Sequence, residues 1–318
     1  MVSRTGISIA PPDLCSWARR GAIIVPHTIF GPSVWKRTDF RHESEWTRVF
    51  PTNELALNAT MGCVRRDLLA GRGFCVLRGL EVDRHDFDAL RLAFWRLAAH
   101  LGEIIPQNAD GDLLRCVTDL GDEVTGSQDA PRALGHRGRA RMLPHSDSSD
   151  IVALLCARQA RIGGGNSVSS SMAIHNEILR THPEYLNPLY EGFYFDLTGK
   201  TKTDDGRTDH RIPVFSCDKT GLSCMFNKSR IETGMRRAGI PLNDFQQAAI
   251  DYLNSLAMHE EFAIPLRLIP GDILLLNNHS TLHAREQYED WPEPDRKRLM
   301  LRLWVNLNSE RKEAQALK

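Results

Sequence analysis

Hydrophobic and polar positions alternate with period two along Arg298-Leu299-Met300-Leu301-Arg302-Leu303-Trp304-Val305-Asn306. This is the pattern of a β-strand, whose side chains leave opposite faces in turn. Leu299, Leu301, Leu303 and Val305 make one face; Arg298, Met300, Arg302, Trp304 and Asn306 make the other. If the second face is also enclosed, two guanidinium groups point into a cavity, and buried unpaired charge calls for an anion. A guanidinium fork pairs with a carboxylate through two parallel hydrogen bonds. An ordinary strand with a wet polar face has the same pattern, since antiparallel sheets can face water on one side.

Other segments follow the helical period. Asn53 to Leu69 reads as a helix, and so does Asp86 to Leu101, with Phe87, Leu90, Phe94 and Leu97 on one face and Gly102 as its stop. Met172 to Arg180 is a third, ended by His182-Pro183, and Asn243 to Met258 a fourth. Strands are expected at Gly73–Gly79, Glu103–Pro106, His145–Ala157 (apolar centre Ile151–Cys156) and Ile273–Asn277, the last launched by the turn Pro270-Gly271-Asp272. Gly163-Gly164-Gly165-Asn166 is a turn. Residues 1–50 show no clear period and read as an arm or lid; 119–141 read as a long loop, and the polar segment 198–212 as a lid loop. With no repeat or linker, 1–318 is expected to form a single α+β domain.

Composition narrows the classes. With 318 residues, 42% hydrophobic, there is ample surface to bury. Lys+Arg 40 against Asp+Glu 40 leaves no net charge, so no nucleic-acid footprint is expected. Seven scattered cysteines without CxxC spacing argue against a disulfide framework and read as core residues. Met1 to Trp17 lacks a signal-peptide pattern, and the longest apolar runs are too short to span a bilayer. A soluble, cytoplasmic protein acting on a small molecule, without a membrane or nucleic-acid partner, is expected. The sequence carries no signal of oligomeric state.

His145-Ser146-Asp147 places an imidazole and a carboxylate at i and i+2, one face of a strand and the geometry for two cis metal ligands. Three other pairs share the spacing. His175–Glu177 and His259–Glu261 fall in expected helices, where i and i+2 diverge, and His182–Glu184 spans a proline turn. A third ligand can come from His279 or His283; His283 is preferred because the two-arginine strand follows it. Two His and one carboxylate leave open positions, as in the facial triad of non-heme Fe(II) oxygenases. Two of these can take the keto acid of 2-oxoglutarate and the last O2. A zinc hydrolase can use the same ligands, but it leaves the arginine strand unexplained.

Several motifs stand in a fixed order: Leu143-Pro144-His145-Ser146-Asp147, Gly164-Gly165-Asn166-Ser167-Val168-Ser169-Ser170, Pro270-Gly271-Asp272-Ile273 leading to Asn277-Asn278, His283-Ala284-Arg285, and Arg298 with Arg302-Leu303-Trp304. From about Gly73 to Trp304 the chain resembles the taurine-dioxygenase-like group of Fe(II)/2-oxoglutarate-dependent oxygenases, relatives of clavaminate synthase and gamma-butyrobetaine hydroxylase. The resemblance implies a double-stranded β-helix (jelly-roll) core flanked by helices. It implies His145, Asp147 and His283 as iron ligands and Arg298 as the partner of the distal (C5) carboxylate. Ser170 would stand where a Thr often assists that carboxylate, a departure that keeps the hydroxyl; it reads equally as the N-cap of the helix it precedes. Arg302 would lie near the C1 carboxylate or an anionic group of the substrate. The implied reaction consumes 2-oxoglutarate and O2, releases succinate and CO2, and oxidises an unactivated C–H by hydroxylation, desaturation or cyclisation. A non-catalytic jelly-roll binding protein is the remaining rival, and the intact set of site residues stands against it.

Weaker candidates surround this set. Gln107 and Asn108 could contact substrate or cosubstrate, or form a turn before Gly111. Arg137, Arg139 and Arg141 could recognise an anion or belong to a solvated loop. Asp150 and His279 read as structural. Arg285 shares the face of His283 and could brace a ligand or the substrate. Arg302 and the Arg137–Arg141 loop favour an anionic or zwitterionic, amino-acid-like or carboxylate substrate, in a tailoring step on an amino acid or natural product.

Overall fold

Ile151–Cys156 and Ile273–Leu276 are apolar at every position, so strands built from them need cover on both faces. The computed structural model, which describes residues 26–51, 53–82, 86–121, 138–198, 206–218 and 221–307, provides it. In chain order the strands are β1 (Thr47–Val49), β2 (Phe74–Arg78), β3 (Glu103–Ile105), β4 (Leu114–Val117), β5 (Met142–His145), β6 (Ile151–Arg158), β7 (Ile162–Gly163), β8 (Asn166–Ser170), β9 (Phe215–Asp218), β10 (Gly221–Cys224), β11 (Ala263–Leu266), β12 (Ile273–Asn277), β13 (Thr281–Arg285), β14 (Tyr288–Glu289) and β15 (Leu299–Asn306). The helices are α1 (Glu54–Leu69), α2 (Phe87–Ala99), α3 (Ser171–Thr181), α4 (Leu186–Glu191), α5 (Lys228–Arg237) and α6 (Asp244–Met258).

A larger sheet runs β1-β2-β12-β6-β15-β3, with β4 also on β15, and a smaller one runs β11-β8-β13-β5. All pairings in both are antiparallel except β1 on β2. Alternation along β6 separates two cores. Ile151, Ala153, Leu155 and Ala157 pack with Val64 and Leu68 of α1 and Phe94 and Leu97 of α2. Val152, Leu154 and Cys156 face the other way, into a core with Val168 of β8 and Ile264 and Leu266 of β11. A third core joins α3 to α6 with Leu282 of β13. The order of layers is therefore helices, larger sheet, smaller sheet, helices. This is the α+β jelly-roll expected from the sequence, with the site region between the two sheets.

Several expected elements form as read: Asn53, Asp86 and Asn243 cap α1, α2 and α6 by accepting a backbone N–H three residues on. Others need correction. The segment expected as one strand, His145–Ala157, is two strands in different sheets, β5 and β6, with the polar run Ser146-Asp147-Ser148-Ser149-Asp150 crossing between them. Such side chains bond nearby backbone and divert the chain from a ladder. The described part of 1–50 is not a free arm. Trp35, Phe40 and Trp46 pack on Phe74 with ring centroids 5.2–6.1 Å apart, and Thr47–Val49 adds a parallel edge strand. Of the two expected loops, 122–137 and 199–205 lie outside the described residues. The rest of 198–212 is anchored by Leu197 N donating to Gly206 O (2.7 Å) and by pairing of Phe193 with Ile212.

Gly102 is not the helix stop. Helix α2 ends at Ala99 with His100 as its C-cap, and Gly102 lies where an added Cβ would overlap the Asn306 carbonyl oxygen at the end of β15. Gly102→Ala is expected to lower the unfolding free energy by about 1–3 kcal/mol through overpacking. Urea titration should show an earlier midpoint at an unchanged slope. An unaltered midpoint would mean that the end of β15 yields at no cost.

Candidate active site

Strand β13 lies between β5 and β8, and its register sets His283 directly opposite His145. Directly opposed residues on neighbouring strands share a face at close range, and the two imidazole centroids are 4.2 Å apart. The β5 ladder then slips, so Arg285 opposes Met142. His145 Nδ1 donates to Leu143 O at 2.8 Å, which fixes the ring and leaves Nε2 as its lone-pair donor.

Asp147 arrives differently from expectation. It does not share a strand with His145; it follows the end of β5 in the crossing to β6. Asn278 latches that crossing: its Oδ1 accepts Asp147 N (3.0 Å) and its Nδ2 donates to Ser149 O (2.9 Å). Ser146 N donates to Phe226 O (2.8 Å) on the other side. Asp150 and His279, read as structural, are just that. His279 Nε2 and Asp150 Oδ1 are 2.7 Å apart, and Asp150 Oδ2 accepts Leu307 N (2.8 Å). His279 is therefore not a member of the triad.

The Asp147 carboxylate is 7% exposed and accepts from Trp304 Nε1 (3.1 Å) and from Arg302 Nη1 (3.3 Å to Oδ2). Its Oδ2 is 3.9 Å from His283 Nε2. Among the described residues no group of three His, Cys, Asp or Glu side chains is placed to hold a metal ion as it stands; Arg302 and Trp304 hold Asp147 beside the imidazoles. Burial pushes both imidazoles down, His283 to about 3 with His145 adding to the effect, so they stay neutral, as metal binding requires. Two neutral imidazoles and a carboxylate, all buried, fit a divalent iron.

From the two imidazoles a cavity runs between the sheets past Leu154, Met300 and Arg302 to Arg298 and Arg285. Both faces of β15 are buried, so the wet-face alternative does not hold. Arg298 is 4% exposed, and its Nη1 has no partner among the described residues. It passes beside Gly164, where a Cβ would stand 3.3 Å from Arg298 Nε, and lies over the Tyr288 ring at 5.2 Å. The glycine turn thus makes room for the guanidinium.

The remaining candidates separate. Gln107 does not line the cavity. Its Oε1 accepts Arg302 Nε (2.7 Å) and its Nε2 donates to Arg302 O and Leu113 O (2.8 Å each), so it positions Arg302. Asn108 closes a turn, with Oδ1 accepting Asp112 N and Nδ2 donating to Asp112 (2.9 Å each), and does not line the cavity. Ser170 is the N-cap of α3: its Oγ accepts Ala173 N (3.0 Å) and donates to Ser33 O. It ends β8, four residues and ~13 Å of strand beyond Asn166, which lines the cavity at the arginine end. The distal-carboxylate role expected of Ser170 is therefore not supported. Arg139 pairs with Asp119 (3.3 Å), Arg141 is exposed, and Arg137 lies outside the described residues. Sequence reasoning missed Trp304, Tyr288, Asn166 and Asn278 as site-forming residues. Trp304 could have been read from its shared face with Arg302, whereas no local signal marks Asn278.

The buried imidazoles set an acid limit. Those of His283, near 3, and His175, near 4, lie below the unfolded value of about 6.5, so the unfolded chain binds protons that the native state refuses. Stability is full above about pH 6.5 and drains away as pH falls toward those values. In chelator, the step from pH 7 to pH 5 is expected to cost about 1–2 kcal/mol per buried imidazole. His175→Phe should remove one share of that slope in urea titrations, and a midpoint indifferent to pH would contradict neutral burial.

Comparison with known proteins gives consistent matches. The model of the "Taurine catabolism dioxygenase TauD, TfdA family" matches residues 38–304. FR-33289 synthase of Streptomyces rubellomurinus is 28% identical over 320 residues, 91% of this chain and 93% of that protein. Taurine hydroxylase-like protein SAT17 of Stachybotrys chartarum is 31% identical over 248 residues, 75% of this chain and 62% of that one. Among solved structures, asparagine oxygenase with Fe(II), 3-hydroxyasparagine and succinate superposes with TM-score 0.63 at 18% identity, covering 80% of each chain. The non-heme iron oxygenase OrfP with Fe and α-ketoglutaric acid gives 0.56 at 16%, covering 78% and 79%.

Proposed function

The chain belongs to the TauD/TfdA family and is an Fe(II)- and 2-oxoglutarate-dependent dioxygenase, and from that premise we propose that it oxidises an unactivated C–H bond of a small amino-acid-like or carboxylate substrate, with release of succinate and CO2. The observation that carries this reading is a cavity with two chemically distinct ends: His145 and His283 line one, with Asp147 3.9 Å behind His283, and Arg298 lines the other. A hydrolase or a non-catalytic barrel has no use for a buried guanidinium opposite the triad.

In this reading His145, Asp147 and His283 hold the iron. Bound there, Fe(II) with 2-oxoglutarate and O2 supplies an oxidant able to attack a C–H bond. The chain's part is placement. The Leu143 carbonyl fixes the His145 ring, and the Trp304 indole N–H steadies Asp147. Arg298 takes the distal carboxylate of 2-oxoglutarate. Arg302, braced by Gln107, offers its guanidinium to the C1 carboxylate or to an anionic group of the substrate. Met142, Leu154 and Met300 line the same space and exclude water. Arg302 favours a substrate that carries a negative charge. Solved structures of similar fold hold hydroxyasparagine and hydroxy-L-Arg, which favours an amino-acid-like molecule and hydroxylation over desaturation or cyclisation.

Anaerobic addition of Fe(II) and 2-oxoglutarate should produce a weak visible charge-transfer band. His145→Ala should abolish it. Arg298→Ala should require about 10–100-fold more 2-oxoglutarate, the usual worth of a charged hydrogen-bonded contact. Aerobic incubation with a panel of amino acids and small carboxylates should then release succinate in step with oxidised product. Absence of the band in folded, iron-loaded protein would overturn the reading.

A further inference from the structure

Arg285 is buried as deeply as Arg298, at 4% exposed. One nitrogen is committed: Nη2 donates to Gly138 O (2.9 Å) and Ala140 O (2.5 Å). Nε and Nη1 have no partner among the described residues, and the side chain lines the same cavity as Arg298. The two guanidinium groups share one aromatic ring, with their central carbons 4.9 Å (Arg285) and 5.2 Å (Arg298) from the Tyr288 centroid.

Among the described residues no acidic side chain forms a salt bridge with either guanidinium, although Asp119 acts on Arg285 and Asp290 on Arg298 through space. Asp119 is engaged by Arg139 (3.3 Å) and Lys297 (3.7 Å), and Asp290 Oδ1 accepts the backbone N–H groups of Arg298 and Trp291. A guanidinium stays charged at neutral pH. Two buried cations whose N–H groups face one cavity require an anion there. The hydroxyl expected to assist Arg298 is spent on capping α3. A carboxylate has about four lone-pair sites, enough for donors from two guanidinium groups.

We propose that Arg285 is a second direct donor to the distal carboxylate of 2-oxoglutarate, clamping it together with Arg298. This rests on the cosubstrate reading above. Arg285 thus has two tasks: Nη2 ties down the 138–140 segment, and Nε and Nη1 serve the cosubstrate. The cation–π contacts to Tyr288 hold the two like charges at the cavity wall before the anion arrives.

The test separates these tasks with two keto acids. 2-Oxoglutarate and 2-oxopentanoate share the chelating end, but the second has a methyl in place of the distal carboxylate. Their dissociation constants are measured anaerobically on Fe(II)-loaded wild type, Arg285→Gln and Arg285→Lys by titrating the charge-transfer band, with calorimetry as a check. Arg285→Gln is expected to weaken 2-oxoglutarate about 10–100-fold and 2-oxopentanoate by less than about 2-fold, with Arg285→Lys in between. Equal weakening of both ligands would reduce Arg285 to a structural tether, and no weakening of either would remove it from the site; both outcomes overturn the proposal. If Arg285→Gln fails to fold, Arg285→Lys decides alone, since loss confined to 2-oxoglutarate supports the clamp and any other pattern overturns it. A wild type that does not prefer 2-oxoglutarate to 2-oxopentanoate would overturn the cosubstrate reading itself.

Discussion

A guanidinium buried between two β-sheets is costly unless something answers its charge, and among the described residues the interior buries three: Arg285, Arg298 and Arg302. Arg302 is answered from within, by Asp147 and the Gln107 amide. Arg285 and Arg298 keep nitrogens without hydrogen-bond partners among the described residues. The interior is therefore polarised, with a carboxylate among neutral imidazoles at one end and two unanswered cations at the other. A molecule bearing a keto acid at one end and a carboxylate at the other completes that arrangement. The function follows from where the fold leaves charge unbalanced.

Holding such an interior open requires stiff walls, which the apolar layers provide. The outer faces of β6, β12 and β15 are sealed by α1 and α2, and the smaller sheet by α3 to α6. The site side chains come from separate pieces of chain: His145 from β5, Asp147 from the crossing, His283 and Arg285 from β13, Arg302 from β15 and Arg298 from the residue just before it. Their mutual placement depends on ladder register, which is strongly specified where both faces of a strand are buried. Asp147 alone lacks a ladder, and Asn278 and Trp304 replace it with hydrogen bonds.

Much was legible in the sequence because periodicity reports burial directly. The two-faced pattern of β15, the starts of α1, α2 and α6, and the apolar runs of β6 and β12 are local properties, and they form as read. Candidate residues were also legible: His145, Asp147, His283, Arg298 and Arg302 belong to residue types that ligate metal or bind anions, and an expected strand setting distinguished His145–Asp147 from three His–acid pairs of the same spacing. Misreadings arose where one local pattern served two purposes. Ser170 has the hydroxyl a carboxylate needs and the position a helix cap needs, and the cap took it. Gly102 has the composition of a helix stop, but the constraint upon it is a backbone 204 residues away in sequence. Gln107 faces Arg302 instead of the cavity.

The sequence by itself determined the elements, the residue chemistry and the need for an anion near β15, because propensity, alternation and charge type act over a few residues. Tertiary structure decided which donors meet. It broke the expected His145–Ala157 strand so that Asp147 joins from a crossing, set His283 opposite His145 through the β5–β13 register, and carried Arg285 to the Tyr288 ring beside Arg298. Those outcomes depend on ladder register and on hydrogen bonds spanning more than a hundred residues, as between Asn278 and Asp147, and such distances leave no trace in local pattern.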